Sequence, residues 1–180
     1  IIIPSYNNGS YLQKCIQSLQ KQSFEAWEAI IVIDESPDDA FHIAKQLSDK
    51  EGRIQIINKT QNEGTHLARK SGVKRAQGEY ALFLDADDEL ADNALSSLAA
   101  LTSQQTFDVL HFGTELFGEN MPETVCSDIL QLSNRNLPTL HGQEIAFSSF
   151  TDSEKNRQDW RILQRLYRTK LLKNAFSCMS

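Results

Sequence analysis

Asp85, Asp87 and Asp88 place three carboxylates within four residues, and Glu89 follows at once. Like charges this close repel one another, and crowding them where an apolar run ends costs stability unless water or a cation screens them. Hard oxygen donors one residue apart suit Mg2+ or Mn2+. Such ions need only one or two protein carboxylates when phosphate oxygens and water complete the shell. Asp87 and Asp85 are the candidate metal ligands. The competing reading is a polar turn leading into a helix that starts near Asp92, because acids favour a helix N-terminus.

The acids need a frame, and the chain before them supplies one. Tyr80-Ala81-Leu82-Phe83-Leu84, bounded by Gly78, reads as a strand buried on both faces. Ile1 to Ile3 and Ala29-Ile30-Ile31-Val32-Ile33 have the same character, and the second also ends on acid, at Asp34-Glu35. Arg53 to Asn58 is a further strand. Between the strands lie helical stripes: Leu12, Cys15, Ile16 and Leu19 with Ser10 as N-cap, then Ala40, Ile43, Ala44 and Leu47. A third helix over Thr65 to Ala76 carries Ala68, Gly72 and Ala76 on one face, small enough to lie close against a sheet.

Four apolar strands alternating with three helices predict an α/β fold: a mostly parallel sheet with helices on both faces and right-handed crossovers. Ligands of such sheets bind outside the carboxyl ends of the strands. Those ends carry Tyr6-Asn7, Asp34-Glu35, the loop to Gly64 and the acid cluster. Loops are polar for solvation alone, so a wet edge with no ligand is the bland alternative. Beyond Glu89 a helix through Ala91, Ala94, Leu95 and Leu98 is expected, then a strand over Asp108 to Gly113. Residues 114–140 lack a dominant period and read as loops with short strands. Gly142 to Phe150 and Thr169 to Ala175 read as short helices, and Trp160 to Tyr167 as an element of undecided type.

With 180 residues, 40% hydrophobic and 23% charged, the chain is long enough for one sizeable core. A net charge of −6 argues against a general nucleic-acid-binding surface. Cys15, Cys126 and Cys178 are odd in number and lack metal spacing, which implies reduced thiols and suits the cytoplasm. No apolar run reaches the roughly 20 residues of a membrane span, and no signal peptide is expected; peripheral attachment to the inner face of a membrane stays open. The first residues, Ile1-Ile2-Ile3-Pro4, read as the last part of a strand, so the chain is expected to be a piece of something longer. His66 and His111 have no partner at metal spacing and read as structural or exposed; Trp27 and Trp160 read as packing residues, with the lining of a ligand pocket as the alternative for Trp160.

In order and spacing, the segments through about Leu98 resemble the family 2 glycosyltransferases, nucleotide-sugar enzymes of the GT-A fold. Ile2 to Asn7 is similar to the family's opening strand and loop, and Ile33-Asp34-Glu35-Ser36-Pro37-Asp38-Asp39 to its Asp-Asp-Gly-Ser-x-Asp segment. Asn62-Glu63-Gly64 and Ala68-Arg69-Lys70-Ser71-Gly72 resemble its Asn-x-Gly and Ala-Arg-Asn-x-Gly. Gly78-Glu79-Tyr80 and Asp85-Ala86-Asp87-Asp88 resemble its Gly-Glu-Tyr and Asp-x-Asp-Asp. The resemblance implies one GT-A domain over 1–180, with a nucleotide-sugar-binding half at 1–100 and a partial acceptor-side half at 101–180 whose sheet has a mixed edge.

It further implies transfer of a sugar with inversion from a nucleoside-diphosphate donor, a UDP-sugar, to a saccharide or lipid-linked acceptor, in polysaccharide biosynthesis. Nucleotide contact falls to Pro4, Tyr6, Asp34, Glu35, Arg69, Asp85 and Ala86, and the metal, Mn2+ or Mg2+, to Asp87 with Asp85. For Arg69 a solvated helix charge is the alternative to a phosphate contact. Glu35 stands where the family has Asp, and Ser36-Pro37 where it has Gly-Ser, which implies a base contact either longer or shifted to Asp34. The family's catalytic base follows a Lys-Leu-Tyr-Arg stretch resembled by Arg165-Leu166-Tyr167-Arg168; no acid stands between there and Ser180, so the base is expected beyond it. Asp159 and Glu154 precede the stretch and are poor substitutes on position. Two other classes compete: a non-catalytic nucleotide-sugar-binding module, and a haloacid-dehalogenase-like phosphatase, which also places Asp-x-Asp after an apolar strand.

Overall fold

The computed structural model describes residues 1–115 and 163–178. Three strands form its parallel core: β1 (Ile2–Ser5), β2 (Ala29–Asp34) and β3 (Ile54–Lys59), in the order β1-β2-β3 with Ile3 opposite Ile31 and Ile31 opposite Ile56. Every residue of β1 and β2 is buried, as expected of strands covered on both faces. β3 is only partly buried, because it has a single strand neighbour.

Helices α1 (Gly9–Gln20), α2 (Ala40–Lys50) and α3 (Thr65–Arg75) alternate with these strands. The α1 stripe of Leu12, Cys15, Ile16 and Leu19 is buried as its periodicity requires. Only Ala40 and Ala44 of the α2 stripe are fully buried; Ile43 and Leu47 are half-buried. α1 starts one residue before the expected cap at Ser10, because the Gly9 N–H is bound from another loop by Asp38 Oδ2, 2.7 Å away. The small face of α3 meets β1 directly: a Cβ added at Gly72 would sit 2.4 Å from Ile2 Cγ2. No side chain larger than hydrogen fits there without movement.

β4 (Tyr80–Leu82) is shorter than the apolar run that predicts it. Its three residues pair antiparallel with β6 (Arg165–Arg168), Ala81 opposite Tyr167. The chain then turns to β1, where Phe83 bridges Ile2 in parallel and the Leu84 N–H donates to the Ile2 carbonyl at 3.0 Å. The run thus splits its hydrogen bonding between two partners. Read across, the order is β3-β2-β1-β4-β6, with β5 (Val109–His111) beside β6. The antiparallel β6 makes this side of the sheet mixed, as the family resemblance implies.

α4 (Ala94–Gln104) follows the acid turn, and α5 (Thr169–Ser177) follows β6 without a break. Lys173 Nζ donates to the Ala76 carbonyl at 2.7 Å, and the Phe83 ring stands edge-on to both Tyr167 and Phe176. Two compact units divide the chain: 1–110 with 165–180, and 111–164. In the second, the Phe112 N–H donates to the Gln164 carbonyl at 2.9 Å. The expectations at 116–140 and at Gly142 to Phe150, and those for Cys126, Glu154, Asp159 and Trp160, lie outside the described residues.

Candidate donor-binding site

The strand order turns back on itself between β1 and β4. In an open α/β sheet that reversal leaves a crevice beyond the carboxyl ends of the two strands, since their following connections run to opposite sides. β1 ends at Ser5, so Pro4 and Tyr6 lie at this crevice, Pro4 buried and Tyr6 50% exposed. The acid turn from Asp85 to Asp88 leaves the neighbouring strand end, closed by the Asp88 N–H to the Asp85 carbonyl at 3.0 Å. Ala86 within it is fully buried.

Two carboxylates fasten the loops around this edge. Asp38 accepts from the Gly9 N–H at 2.7 Å, the Ala40 N–H at 3.1 Å and the Ser36 hydroxyl at 2.5 Å, while Ser36 Oγ accepts from the Asn7 N–H at 2.8 Å. Burial pushes the Asp38 carboxyl up, but these donors outweigh it and hold it below its usual range. The loop after β1 is thereby clipped to the loop after β2. Both loops turn through a left-handed residue, Asn7 at φ 56° and Glu35 at φ 54°. Such a backbone is held in place by neighbours rather than by its own preference.

Asp34 does similar work one strand over. Its carboxylate, 3% exposed, accepts from the N–H groups of Glu63 at 3.2 Å and Gly64 at 2.7 Å, with the Lys59 ammonium 3.1 Å away. Lys59 also pairs with Glu63. Burial pulls the Lys59 pKa down, yet Glu63 and Asp34 together hold it above its ordinary value. Gly64 itself stands at φ 84°, a conformation for which glycine is suited. Asp34 is therefore engaged by its own chain, whereas Glu35 beside it is exposed.

Arg69 projects from α3 to Asp85: Nη2 to Oδ1 is 2.8 Å, the two side chains are 15% and 32% exposed, and the guanidinium lies 5.7 Å from the centre of the Phe83 ring. The solvated helix charge that sequence allowed for Arg69 is not what forms. Its Nε is buried without a hydrogen-bond partner.

The acid turn carries charge that this one guanidinium does not cancel. Asp87 and Asp88 are exposed, and no basic side chain among the described residues pairs with either. Partial burial and the charges of Asp87 and Asp85 push the Asp88 carboxyl up. The same field reaches α1: burial first, then Asp88, Glu89, Asp87 and Asp85, push the Cys15 thiol up to about 12. Cys15 is thus an unreactive core thiol, its S–H 3.8 Å from the Asp85 carbonyl. Among the described residues no three His, Cys, Asp or Glu side chains converge as a ready-made metal cage. Two exposed carboxylates with no basic partner among the described residues are nonetheless the donor type a hard divalent cation takes, and such a cation needs few protein ligands when phosphate is present.

Sequence reasoning missed the supports. Ser18 on α1 and Gln22 just beyond its end are buried polar residues that hold the exit of the acid turn: Ser18 Oγ accepts from the Leu90 N–H at 3.0 Å, and Gln22 donates to the Ala91 carbonyl at 2.9 Å and accepts from the Leu95 N–H at 3.0 Å. Their i, i+4 spacing beside the apolar stripe was the available signal. His66 is exposed against Phe176, with ring centres 5.3 Å apart, and Trp27 is buried beneath Arg53, as their bland readings expect.

Against known proteins, residues 1–169 match the family model described as Glycosyl transferase family 2. The uncharacterized glycosyltransferase EpsJ of Bacillus subtilis (strain 168) is 27% identical over 180 residues, covering 97% of this chain and 49% of EpsJ. The GalNAc(5)-diNAcBac-PP-undecaprenol beta-1,3-glucosyltransferase of Campylobacter jejuni is 36% identical over 99 residues, 54% of this chain and 32% of that enzyme. Among solved structures, S. aureus TarS 1-349 in complex with UDP superposes with a TM-score of 0.71 at 25% identity, covering 97% of this chain and 47% of the other. The chain spans about half the length or less of these relatives. No described helix is long and apolar enough to cross a membrane. A match to the family model over nearly the whole chain, on a GT-A sheet with its strand ends so equipped, establishes that this chain belongs to glycosyltransferase family 2.

Proposed function

We propose that this chain binds the donor of a sugar transfer, a UDP-sugar held through its diphosphate with the help of Mn2+ or Mg2+, for inverting attack by a saccharide or lipid-linked acceptor hydroxyl. The observation that supports the reading is that Tyr6, Glu35 and the acid turn follow the carboxyl ends of neighbouring strands β1, β2 and β4, with Arg69 paired to that turn through Asp85. TarS, 25% identical in its UDP complex, supports the donor class.

In this reading Tyr6, half exposed above buried Pro4, packs on the base, and the exposed Glu35 carboxylate accepts its N–H. Asp34 holds the loop from Glu63 to Gly64 beside the base. Asp85 and Ala86 border the ribose, and Asp87, with Asp85, would hold the cation. Bound there, a divalent cation supplies Lewis-acid neutralisation of the departing diphosphate, worth several kcal/mol in comparable sites. Arg69 offers a second positive group for the same oxygens. The base that takes the acceptor's proton is assigned to none of the described residues.

The test is calorimetric titration of the chain with UDP, with and without Mn2+, repeated on Asp87→Ala. Mn2+-dependent binding that weakens at least tenfold in the variant, about 1.4 kcal/mol, supports the reading. Equal affinity in both proteins refutes the assignment of Asp87. Release of UDP from UDP-sugars by the complete protein tests transfer; metal-dependent binding without turnover would favour a donor-binding module.

A further inference from the structure

Arg69 and the cation serve the same diphosphate in the reading just given, and the inference rests on that reading. Its guanidinium has one carboxylate partner, Asp85 at 2.8 Å, and a buried Nε without any. Asp85 is at the same time a candidate ligand of the cation. The two uses compete: Oδ1 is committed to the guanidinium, which leaves a cation only Oδ2 and sets a second positive charge on the same carboxylate.

We propose that the Arg69–Asp85 pair couples cation binding to diphosphate binding. A cation arriving alone must share Asp85 with Arg69 or draw it away, and either weakens the carboxylate bond of a mostly buried guanidinium, which is costly. A diphosphate arriving with the cation gives Arg69 a replacement acceptor, since phosphate oxygens suit the same two-pronged donor. Asp85 is then released to the metal side of the crevice. The Phe83 ring, 5.7 Å from the guanidinium, gives it a fixed platform during the exchange. Arg69 is on this account a positioning residue that makes the site accept the two ligands together and resist either the metal or a like-charged competitor by itself. Because coupling is reciprocal, the cation must favour the diphosphate by the same factor.

The experiment measures Mn2+ affinity of the chain with and without saturating UDP, by titration followed through the Mn2+ electron paramagnetic resonance signal. Wild type, Arg69→Met, Asp85→Asn and the double variant are compared, each verified as folded by circular dichroism. UDP should tighten Mn2+ binding to the wild type roughly tenfold or more, within the range of ordinary couplings. In Arg69→Met, Mn2+ alone should bind several-fold more tightly than in wild type, and the UDP effect should shrink by the same factor to the part that direct phosphate ligation of the cation supplies. Against Asp85→Asn, adding Arg69→Met should leave Mn2+ affinity unchanged, because the conflict is already gone. A mere loss of positive charge would tighten Mn2+ binding in both backgrounds, which would overturn the proposal. So would an undiminished UDP effect in Arg69→Met. A wild type that binds no UDP at any Mn2+ concentration overturns the functional reading as well, and the two failures are thereby told apart.

Discussion

Replacing Gly72 by Ala sets two physical rules against each other. In an exposed helix interior the change stabilises by about 1 kcal/mol, since alanine has the higher helix propensity. Here the new methyl lies 2.4 Å from Ile2 Cγ2 and 3.4 Å from two further atoms of the same side chain. Carbon pairs rest at roughly 3.5–4.0 Å, so α3 or β1 must retreat by more than about 1 Å. Neither yields readily: Ile2 is wholly buried and its strand is hydrogen-bonded to β2 on one side and to the chain at Phe83 and Leu84 on the other. Overpacking a fixed contact costs about 3 kcal/mol at the upper end of its range; less the helix gain, about 2 kcal/mol of destabilisation remains. For a chain of this size that lowers Tm by about 4–8 °C. Thermal melting by circular dichroism reads it. The cost of Gly72→Ala with Ile2→Ala should also fall short of the sum of the two alone, because the second change removes the obstructing methyl. An unchanged or raised Tm for the single variant would refute the close approach of α3 to β1.

Asp38 should show in the acid limb of a stability profile. Its folded pKa is held below the ordinary 3.8, so its contribution is present above that value and is lost as pH falls through the folded one. Urea midpoints measured between pH 6 and pH 2 should fall less steeply in Asp38→Asn, from a lower plateau. Asp34→Ala removes the acceptor of the Glu63 N–H, leaves the Gly64 N–H only the longer bond to Asn62 Oδ1 at 3.2 Å, and leaves the Lys59 ammonium, 9% exposed, beside Glu63 alone. We expect a loss of about 3 kcal/mol in urea unfolding, with faster hydrogen exchange at the Gly64 amide.

The parallel core was legible because its signal is local. Continuous apolar strands and a four-residue helical stripe can be read from neighbours alone, and Leu12, Cys15, Ile16 and Leu19 are buried as that stripe requires. The strand ends were legible for the same reason, since acid follows apolar residues in plain view at Asp34 and Asp85. What could not be read was every bond between distant loops. Asp38 looks like a helix-start acid, yet its partner Gly9 lies 29 residues away. Arg69 looked like a solvated charge or a phosphate ligand because Asp85, 16 residues on, is brought near only by folding. The length of β4 failed likewise: nothing between Tyr80 and Leu84 tells which residues turn from β6 to β1.

The tie from Lys173 to Ala76 spans 97 positions, and β6 enters between strands that were complete long before it. A ribosome delivering this chain from its first residue exposes the crevice-bearing strands while β4 still lacks its neighbour. The last partner emerges some ninety residues later, by which time an unpaired edge has stood open to other chains. Folding speed should therefore be set by closure of that long return, and holding the nascent edge from aggregation falls to whatever meets the chain on its way out.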